Sequence, residues 1–244
     1  TLRSLAHIGM DERLTNELTR MVGKPYGMIL VCGPTGSGKT TTLHSLLGQI
    51  NTRERKIWTA EDPVEITHPG LRQVQVNTKI GWTFAATLRA FLRGDPDVIM
   101  VGEMRDLETA RIAMEASLTG HLVLSTLHTN DAPSSITRMI NIGVEPFLVG
   151  AALNAVLAQR LVRKVCSRCA TDVAVDDEKR DFLLTHGIDA TTLRQGTGCP
   201  ACRQTGYSGR MGLYELLVLD DFLRDKIASN PNVVEFRKIG RAHV

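Results

Sequence analysis

The strongest chemical signal in the chain is a glycine-rich segment, GPTGSGKT, at residues 33–40. It matches the pattern G-x-x-x-x-G-K-[ST] at every fixed position, and it stands between an apolar run and a helical pattern. Glycines let successive backbone N–H groups approach phosphate oxygens, and the positive end of the following helix points to the same place. Lys39 would place a cation on the β and γ phosphates, and the Thr40 hydroxyl would ligate Mg²⁺. The residues predicted to bind nucleotide here are Gly33, Pro34, Thr35, Gly36, Ser37, Gly38, Lys39, Thr40 and Thr41. The alternative is a glycine-rich turn before a helix, with no ligand.

A carboxylate follows one of the predicted buried strands. Glu103 comes after the apolar run 98–101 through Gly102. Its side chain would emerge at the carboxyl edge of the sheet, which is where open α/β sheets bind ligands. An acid directly after four apolar strand residues is costly without a partner, so a functional role is favoured. Nucleotide hydrolysis needs such a group near the metal or the attacking water.

A second acidic segment follows another strand. Glu61, Asp62 and Glu65 lie within EDPVE, just past the predicted strand 57–60. Three carboxylates in five residues are too dense for an ordinary solvated turn. For Glu61 or Asp62 taken alone, a turn or capping role is the better interpretation.

Histidines and arginines surround the same predicted strands. His121 and His128 flank the fourth strand, where they could sense a γ-phosphate by hydrogen bonding, although a single histidine is more often a packed or surface residue. Arg89, Arg93 and Arg105 cluster around the third strand. They form either a solvated basic face or an arginine finger that stabilises charge on a transferring phosphoryl group.

Four cysteines form two C-x₂-C pairs. Cys166 and Cys169 make the first pair, Cys199 and Cys202 the second, with 29 residues between the pairs. This set predicts a tetrahedral, four-thiolate Zn²⁺ site, which is structural because it leaves no open position. Two disulfides and a redox C-x-x-C are the alternatives. Cys32 is most simply a small core residue.

Composition and charge exclude several classes. The 244 residues are 43% hydrophobic and 23% charged, which excludes collagen-like, low-complexity and disordered chains. Lys and Arg number 29 and Asp and Glu number 26, so the net charge of +3 gives no argument for nucleic acid or an anionic membrane. No run of 18 apolar residues or signal-peptide pattern is present in the sequence.

The elements that must position these groups alternate along the chain. Strands are predicted at 28–32, 57–60, 98–101 and 122–127. Helices are predicted at 40–50, 84–92, 107–118, 134–142 and 147–165, and a further helix at 176–184. This alternation predicts an α/β fold with a parallel-rich sheet and helices on its faces.

From Cys166 onward the sequence becomes polar and loses its apolar periodicity, which suggests a small insert in a larger core. The predicted divisions are a remnant of an N-terminal domain and linker at 1–20, a P-loop core at 21–165, a zinc-binding insert at 166–202 and a return to the core at 203–238. The chain starts without Met and stops inside a helix pattern, so we interpret it as a fragment of a longer protein. We interpret residues 239–244 as a cloning or assembly scar.

Several of these segments together resemble the secretion traffic ATPases, which power type II secretion and type IV pilus assembly in bacteria. The segments are GPTGSGKTTTLHSLL (33–47), TAEDPVE (59–65), LRAFLRGDPDVIMVGEMRDLETA (88–110), TGHLVLSTLHTNDA (119–132), GVEPFLVGAALNAVLAQRLVRKVC (143–166) and GYSGRMGLYELL (206–217). The resemblance covers nearly all of residues 21–220 and implies a RecA-like core with a tetracysteine zinc subdomain.

The resemblance also implies residue roles. Glu61, Asp62 and Glu65 match the family's aspartate box, which implies that Glu65 is a catalytic carboxylate and that Glu61 is among the nucleotide-binding residues. Gly102–Glu103 matches an atypical Walker B motif. His121 and His128 match the histidine box. The arginines that match phosphate-approaching residues, some of them acting across subunits, are Arg89, Arg93, Arg105 and Arg210.

The resemblance implies a hexameric, Mg²⁺-dependent ATPase in the cytoplasm, peripheral to the inner membrane, whose partners are a membrane platform and cytoplasmic adaptor proteins. Type II secretion is the first expectation and pilus extension the alternative, with pilus retraction ranked lower because retraction members lack the cysteines. A RecA-like nucleic-acid motor is disfavoured by the weak net charge and by only 5% aromatic residues. A nucleotide-gated scaffold without turnover also stays open.

Overall fold

The computed structural model describes residues 4–229. They fall into two compact units, one formed by 4–160 with 212–229 and the other by 161–211. The smaller unit contains the whole segment 166–202. The predicted scar at 239–244 and the end of the segment 203–238 lie outside the described residues.

The larger unit is organised by a seven-stranded sheet with the order β3-β2-β4-β5-β1-β6-β9. Five neighbouring pairs are parallel: β3 with β2, β2 with β4, β4 with β5, β5 with β1, and β1 with β6. The strands are β1 (Gly27–Cys32), β2 (Ile57–Glu61), β3 (Arg72–Gln75), β4 (Val98–Val101), β5 (Leu122–Leu127), β6 (Leu153–Val165) and β9 (Tyr207–Val218). Parallel pairing brings the carboxyl ends of β1, β2, β4 and β5 to one edge, and the predicted parallel-rich α/β fold is confirmed.

Helices cover both faces of this sheet. They are α1 (Glu12–Val22), α2 (Lys39–Ile50), α3 (Phe84–Leu92), α4 (Leu107–Leu118), α5 (Ala132–Asn141), α6 (Pro146–Ala152) and α8 (Asp221–Ala228). Side chains along β1 alternate between two cores: Leu30 packs in the core that contains Leu88 and Met114, whereas Ile29 packs in the core that contains Leu18 and Leu47. A strand buried on both faces therefore carries the continuous apolar run that the sequence shows.

The predicted long helix at 147–165 is wrong. The helix α6 ends at Ala152, and Leu153 turns to extended backbone with φ −73° and ψ 130°. The strand β6 then pairs with β1, and its first seven residues are buried. A strand buried on both faces shows no alternation, so its apolar residues matched helical spacing by chance.

Several elements lie in segments for which the sequence predicted none, and among the α-helices and strands between residues 4 and 80 these are α1 and β3. The helix α1 is capped by Asp11, whose side chain accepts from the Leu14 amide at 2.7 Å, and it buries Leu18 and Met21 in the core that also contains α2. The strand β3 extends the sheet beyond β2. Residues 12–22, partly assigned to a domain remnant, therefore pack as part of the larger unit.

The smaller unit is built on a two-stranded antiparallel sheet of β7 (Ala170–Ala174) and β8 (Thr192–Gly196), joined through α7 (Asp177–Thr185). The helix α7 confirms the helix predicted at 176–184. None of its residues is buried. Between residues 4 and 229, no helix combines the length and apolar character needed to cross a bilayer.

Candidate functional site

The glycine-rich segment forms a loop at the carboxyl end of β1 and leads into α2. Gly33 has φ 151°, and a Cβ added there would come within 2.3 Å of the Gln159 carbonyl oxygen, so only glycine fits. Gly36 and Gly38 also have positive φ, 76° and 88°, and Gly38 is the N-cap of α2. Pro34, Thr35 and Gly36 are exposed. The loop thus presents exposed backbone next to a helix N-terminus, which is the arrangement that binds phosphate.

The ammonium group of Lys39 is hydrogen-bonded to the backbone of the loop that precedes it. Its Nζ donates to the carbonyl oxygens of Gly33 at 2.9 Å and Pro34 at 3.0 Å. Burial lowers the pKa of Lys39, while the nearby Glu103 carboxylate acts in the opposite direction. Thr40 and Thr41 follow in the first turn of α2 and are partly exposed. A cation and a hydroxyl therefore lie beside the exposed loop, as phosphate and Mg²⁺ binding require.

Gln159 on β6 connects this loop to its helix, a role that the sequence did not predict. Its Nε2 donates to the Ser37 carbonyl oxygen at 2.6 Å, and its Oε1 accepts from the Thr42 hydroxyl at 2.8 Å. All three residues are buried. The available signal was a glutamine inside an apolar run, but the helix assigned to that run gave no reason to place it beside the loop.

Glu103 lies past the end of β4, and its carboxylate is mostly buried, with 13% of the side chain exposed. Its Oε1 accepts from Arg105 Nη2 at 2.6 Å, and its Oε2 lies 3.3 Å from His128 Nε2. The Met104 amide donates to the Thr126 carbonyl at 3.1 Å, which fixes the turn against β5. The structure therefore brings Glu103, Arg105 and His128 together at the carboxyl edge of the sheet.

Glu61 differs from the sequence prediction of a nucleotide contact, because its carboxylate is buried and fully paired. Its Oε1 accepts from Thr59 Oγ1 at 2.6 Å and Gln73 Nε2 at 2.9 Å, and its Oε2 lies 3.1 Å from His44 Nε2. Burial raises the pKa of Glu61, but these hydrogen bonds outweigh burial and hold the pKa below its usual value. Among residues 4–229, both oxygens of the Glu61 carboxylate therefore already have hydrogen-bond partners within the protein.

The two remaining acids of this segment are open to solvent. Asp62 and Glu65 are exposed in the loop that follows β2. The Val64 amide in this loop donates to Gln75 Oε1 at 3.2 Å. Glu65 makes no hydrogen bond or ion pair with any residue between 4 and 229, so its carboxylate is available to an incoming group.

The structure separates the two predicted histidines. His121 precedes β5, and its carbonyl oxygen accepts from the Gly27 amide at the start of β1. Its Nδ1 lies 3.0 Å from the Ala116 carbonyl oxygen. His121 is therefore at the amino edge of the sheet, whereas His128 is at the carboxyl edge with the glycine-rich loop 33–40 (the phosphate loop). This geometry does not support a shared phosphate contact within one chain.

The predicted arginines of the larger unit, Arg89, Arg93 and Arg105, are dispersed rather than convergent. Arg89 on α3 pairs with Glu108 on α4 at 2.5 Å, and both side chains are more than half exposed. Arg93 is exposed at the end of α3. Arg210 is exposed on the part of β9 that belongs to the smaller unit. Among the predicted arginines of the larger unit, Arg105 alone contacts a carboxylate at the candidate site.

In the smaller unit, the four cysteines form one cluster whose sulfur atoms all lie within 4.8 Å of one another and could hold a metal ion. The Sγ···Sγ distances are 3.9 Å for Cys166–Cys199, 3.9 Å for Cys169–Cys202 and 3.7 Å for Cys199–Cys202. Thiolates about 2.3 Å from a tetrahedral Zn²⁺ would be about 3.8 Å apart, so the spacing fits. All four cysteines are free in this structure, and none of them forms a disulfide.

Backbone amides support charge on this cluster. The Cys199 and Gly206 amides donate to Cys202 Sγ at 3.2 and 3.3 Å. Burial opposes ionisation of Cys202, but these donors outweigh it and lower its pKa to about 6. Burial raises the pKa of Cys169 to about 11. Since thiolates this close repel one another, full ionisation of the cluster calls for a bound cation. Cys32, the fifth cysteine, is buried in the larger core.

Comparison with known proteins relates the whole chain to one protein family. A family model described as "Type II/IV secretion system protein" matches residues 1–244. The "Type II secretion system protein E" of Pseudomonas aeruginosa is 50% identical over 238 residues, which cover 98% of this chain and 47% of that protein. The "Type IV pilus assembly ATPase PilB" of Thermus thermophilus is 50% identical over 236 residues, which cover 96% of this chain and 26% of that protein.

Solved structures of ATPases are similar to this chain over nearly its whole length. The pilus retraction motor PilT with bound ADP superimposes with a TM-score of 0.69 and 30% sequence identity, covering 98% of this chain and 58% of that chain. The ATPase DotB of Legionella pneumophila has a TM-score of 0.69 and 25% identity, covering 100% of this chain and 58% of that chain. The chain spans about half the length of the type II secretion relatives that it matches.

Proposed function

Because the chain belongs to the type II/IV secretion system protein family, as its resemblance to the secretion traffic ATPases predicted, we propose that it is the ATP-hydrolysing part of a motor for type II protein secretion. One observation carries the proposal: a phosphate-type loop with an internal lysine lies at the same sheet edge as a mostly buried carboxylate. The relatives named for type II secretion and as ATPases support the pathway and the activity.

Phosphate binding is assigned to the loop 33–40 and to Thr41. On nucleotide entry, Lys39 would exchange its two carbonyl partners for phosphate oxygens, which bind a cation more strongly than neutral acceptors do. The Thr40 hydroxyl would hold Mg²⁺, whose role when bound is to neutralise charge on the phosphates. Pro34, Thr35 and Gly36 would line the exposed side of the loop.

Water activation is assigned to one of two carboxylates. Glu65 is exposed and unpaired within the described chain, so it is free to accept a proton from water. Glu103 is already paired with Arg105 and His128, which suits a group that orients water or the metal shell. Accordingly, Glu65 is the first candidate for the base and Glu103 for the orienting role.

Charge stabilisation is assigned to arginines, some of them from a neighbouring subunit. Arg89, Arg93 and Arg210 are exposed. Within the described part of the larger unit, neither Arg89 nor Arg93 forms a hydrogen bond or ion pair with the phosphate loop. Exposed arginines can act on the site of the next subunit in a ring, so this placement is compatible with the homo-hexamer that we propose. His128 is the histidine positioned to respond to phosphate, and His121 would act only across subunits.

Zinc is the metal proposed for Cys166, Cys169, Cys199 and Cys202. The sulfur spacing and the amide donors fit a closed four-thiolate site. Such a site would stabilise the smaller unit and would not take part in hydrolysis.

Type IV pilus assembly is the second candidate pathway, favoured by the relative from Thermus thermophilus. In both pathways we expect a cytoplasmic protein at the inner membrane that acts on a membrane platform with adaptor proteins. The genes beside the coding sequence would distinguish the two, since pilins and secretion subunits differ.

The proposed activity is tested by phosphate release from ATP in the presence of Mg²⁺. We expect turnover by the chain and its loss in Lys39→Ala, with Lys179→Ala, an exposed lysine of α7, as the matched control. Equal rates for the wild type and Lys39→Ala would refute the assignment of the loop. Nucleotide binding without phosphate release would favour a nucleotide-gated scaffold instead.

A further inference from the structure

A histidine and a carboxylate form a buried pair next to the phosphate loop. His44 lies on α2, and its Nε2 is 3.1 Å from Oε2 of Glu61 at the end of β2, with 1% and 4% of the two side chains exposed. A buried carboxylate is costly unless every oxygen has a partner, and here each oxygen has at least one. The pair therefore fixes α2 against the end of β2.

The same carboxylate is connected to the loop that carries Glu65. Gln73 on β3 donates through Nε2 to Glu61 Oε1 at 2.9 Å and to the Ile66 carbonyl oxygen at 2.7 Å. Its Oε1 accepts from the His68 amide at 2.7 Å. One side chain thus joins Glu61 to two points of the loop 62–70.

The helix α2 also contacts this loop directly. The His44 and His68 rings are stacked, with centroids 6.4 Å apart and an interplanar angle of 21°. Asn51, directly after α2, donates through Nδ2 to the Pro69 carbonyl oxygen at 2.8 Å. Because α2 begins at Lys39, a single helix connects the phosphate loop to the loop of Glu65.

We propose that His44 is a positioning residue, which holds the loop 62–70, and with it Glu65, at a fixed place relative to the phosphate loop. The inference rests on the proposed function for the role of Glu65, while the mechanical connection is independent of that function. Within the described chain, the His44 side chain hydrogen-bonds to Glu61 and not to residues 33–40, so its loss should change turnover rather than nucleotide affinity. A misplacement of the reacting groups by about 1 Å is enough to lower a rate by one to two orders of magnitude.

The test compares variants that each remove one donor to Glu61. His44→Phe keeps a ring but removes the connection to α2, and His44→Gln restores a side-chain N–H at a similar reach. Thr59→Val is the matched control, because it removes the 2.6 Å hydrogen bond to the same carboxylate but leaves α2 and the loop connected. Gln73→Leu removes the hydrogen bonds that join Glu61 to the loop 62–70, and it is the second variant to be tested if His44→Phe does not fold.

Two measurements are made on each variant in the full chain: hydrogen exchange of the amides in residues 62–70, and kcat and KM for ATP. We expect His44→Phe and Gln73→Leu to speed exchange in this loop and to lower kcat about tenfold, with KM within about twofold of wild type. His44→Gln should recover most of both losses, and Thr59→Val should stay close to wild type in both.

Three results would overturn the proposal: unchanged loop exchange in His44→Phe, unchanged kcat in that variant despite faster exchange, or equal effects in His44→Phe and Thr59→Val. The last result would show that only the burial of Glu61 matters. If the wild type binds nucleotide without hydrolysing it, the proposed function fails, and the exchange measurement alone decides whether His44 holds the loop.

Discussion

Replacement of Gln159 by leucine should separate the phosphate loop from its support. The side chain of Gln159 connects the Ser37 carbonyl oxygen to the Thr42 hydroxyl, and these contacts lie in the buried part of the larger unit. Leucine has a similar volume and no polar atom, so Gln159→Leu removes both hydrogen bonds and creates little cavity. The substitution therefore isolates the polar connection.

The magnitude follows from the groups left without partners. An unsatisfied buried donor or acceptor costs about 1–3 kcal/mol, and here the Ser37 carbonyl and the Thr42 hydroxyl both lose a partner. Gln159→Leu also stops burying a polar amide, which offsets part of this cost. We expect the free energy of unfolding to fall by about 2–4 kcal/mol, which corresponds to a fall in Tm of about 10 °C in a chain of this size.

The effect on nucleotide binding should follow, because Ser37 lies inside the loop that would surround the phosphates. We expect Kd for a non-hydrolysable ATP analogue to rise about tenfold, which corresponds to about 1.4 kcal/mol of loop preorganisation. Thermal unfolding gives Tm, and calorimetric titration gives Kd. Thr42→Val is the matched control, since it removes the 2.8 Å bond but leaves Gln159 on the Ser37 carbonyl, so it should lower Tm without changing Kd.

Two results would refute this reasoning. Unchanged Tm and Kd in Gln159→Leu would show that water replaces the amide without loss. An equal rise of Kd in Gln159→Leu and Thr42→Val would show that the packing of α2, not the hold on the loop, sets nucleotide affinity.

The other predictions address the remaining parts of the molecule. Glu103→Gln should bind nucleotide with near-normal affinity but hydrolyse it at least about tenfold more slowly in a phosphate-release assay. The reason is that the amide cannot accept hydrogen bonds from Arg105 and His128 as a carboxylate does. A normal rate would assign the essential carboxylate to Glu65 alone. Cys166→Ser should lower the zinc content measured by elemental analysis from about one ion per chain, and a metal-free wild type with reactive thiols would contradict the site. The pKa of Glu61 is lowered in the folded chain, so its contribution to stability is present above its unfolded pKa of about 4.3 and is lost as the pH falls through the lower folded value. Urea unfolding between pH 7 and pH 3 should therefore show a smaller acid-induced loss in Glu61→Gln than in wild type, and equal losses would contradict this assignment.

The sequence predicted those parts of the site that depend on local pattern. A loop of this kind needs glycines where φ is positive and a lysine at the start of the following helix. Because both requirements show directly in the spacing of the residues, the sequence predicted the loop at 33–40. Glu103 was found because a buried strand leads into it, and the structure places it at the predicted sheet edge. The two cysteine pairs were equally informative, since paired C-x₂-C spacing already constrains four sulfur atoms.

The sequence failed where residues meet through the sheet rather than along the chain. Gln159 and Ser37 are 122 positions apart, and they meet because β6 pairs with β1. The segment 147–165 carries no signal that separates a buried strand from a buried helix, so the pairing could not be predicted and neither could its glutamine. One wrong element therefore concealed a residue that holds the phosphate loop.

The environment of Glu61 could not be predicted from the sequence either, because its position in the acidic segment suggested exposure to a ligand. Its burial depends on His44 from α2, on Thr59 from its own strand and on Gln73 from β3. None of these partners is recognisable as such in the sequence. The three acids of EDPVE therefore differ in environment: Glu61 is buried and hydrogen-bonded to its neighbours, whereas Asp62 and Glu65 are exposed on the loop that follows. A loop anchored by a buried carboxylate can present a second carboxylate to water at a fixed position, which is what the proposed role of Glu65 requires.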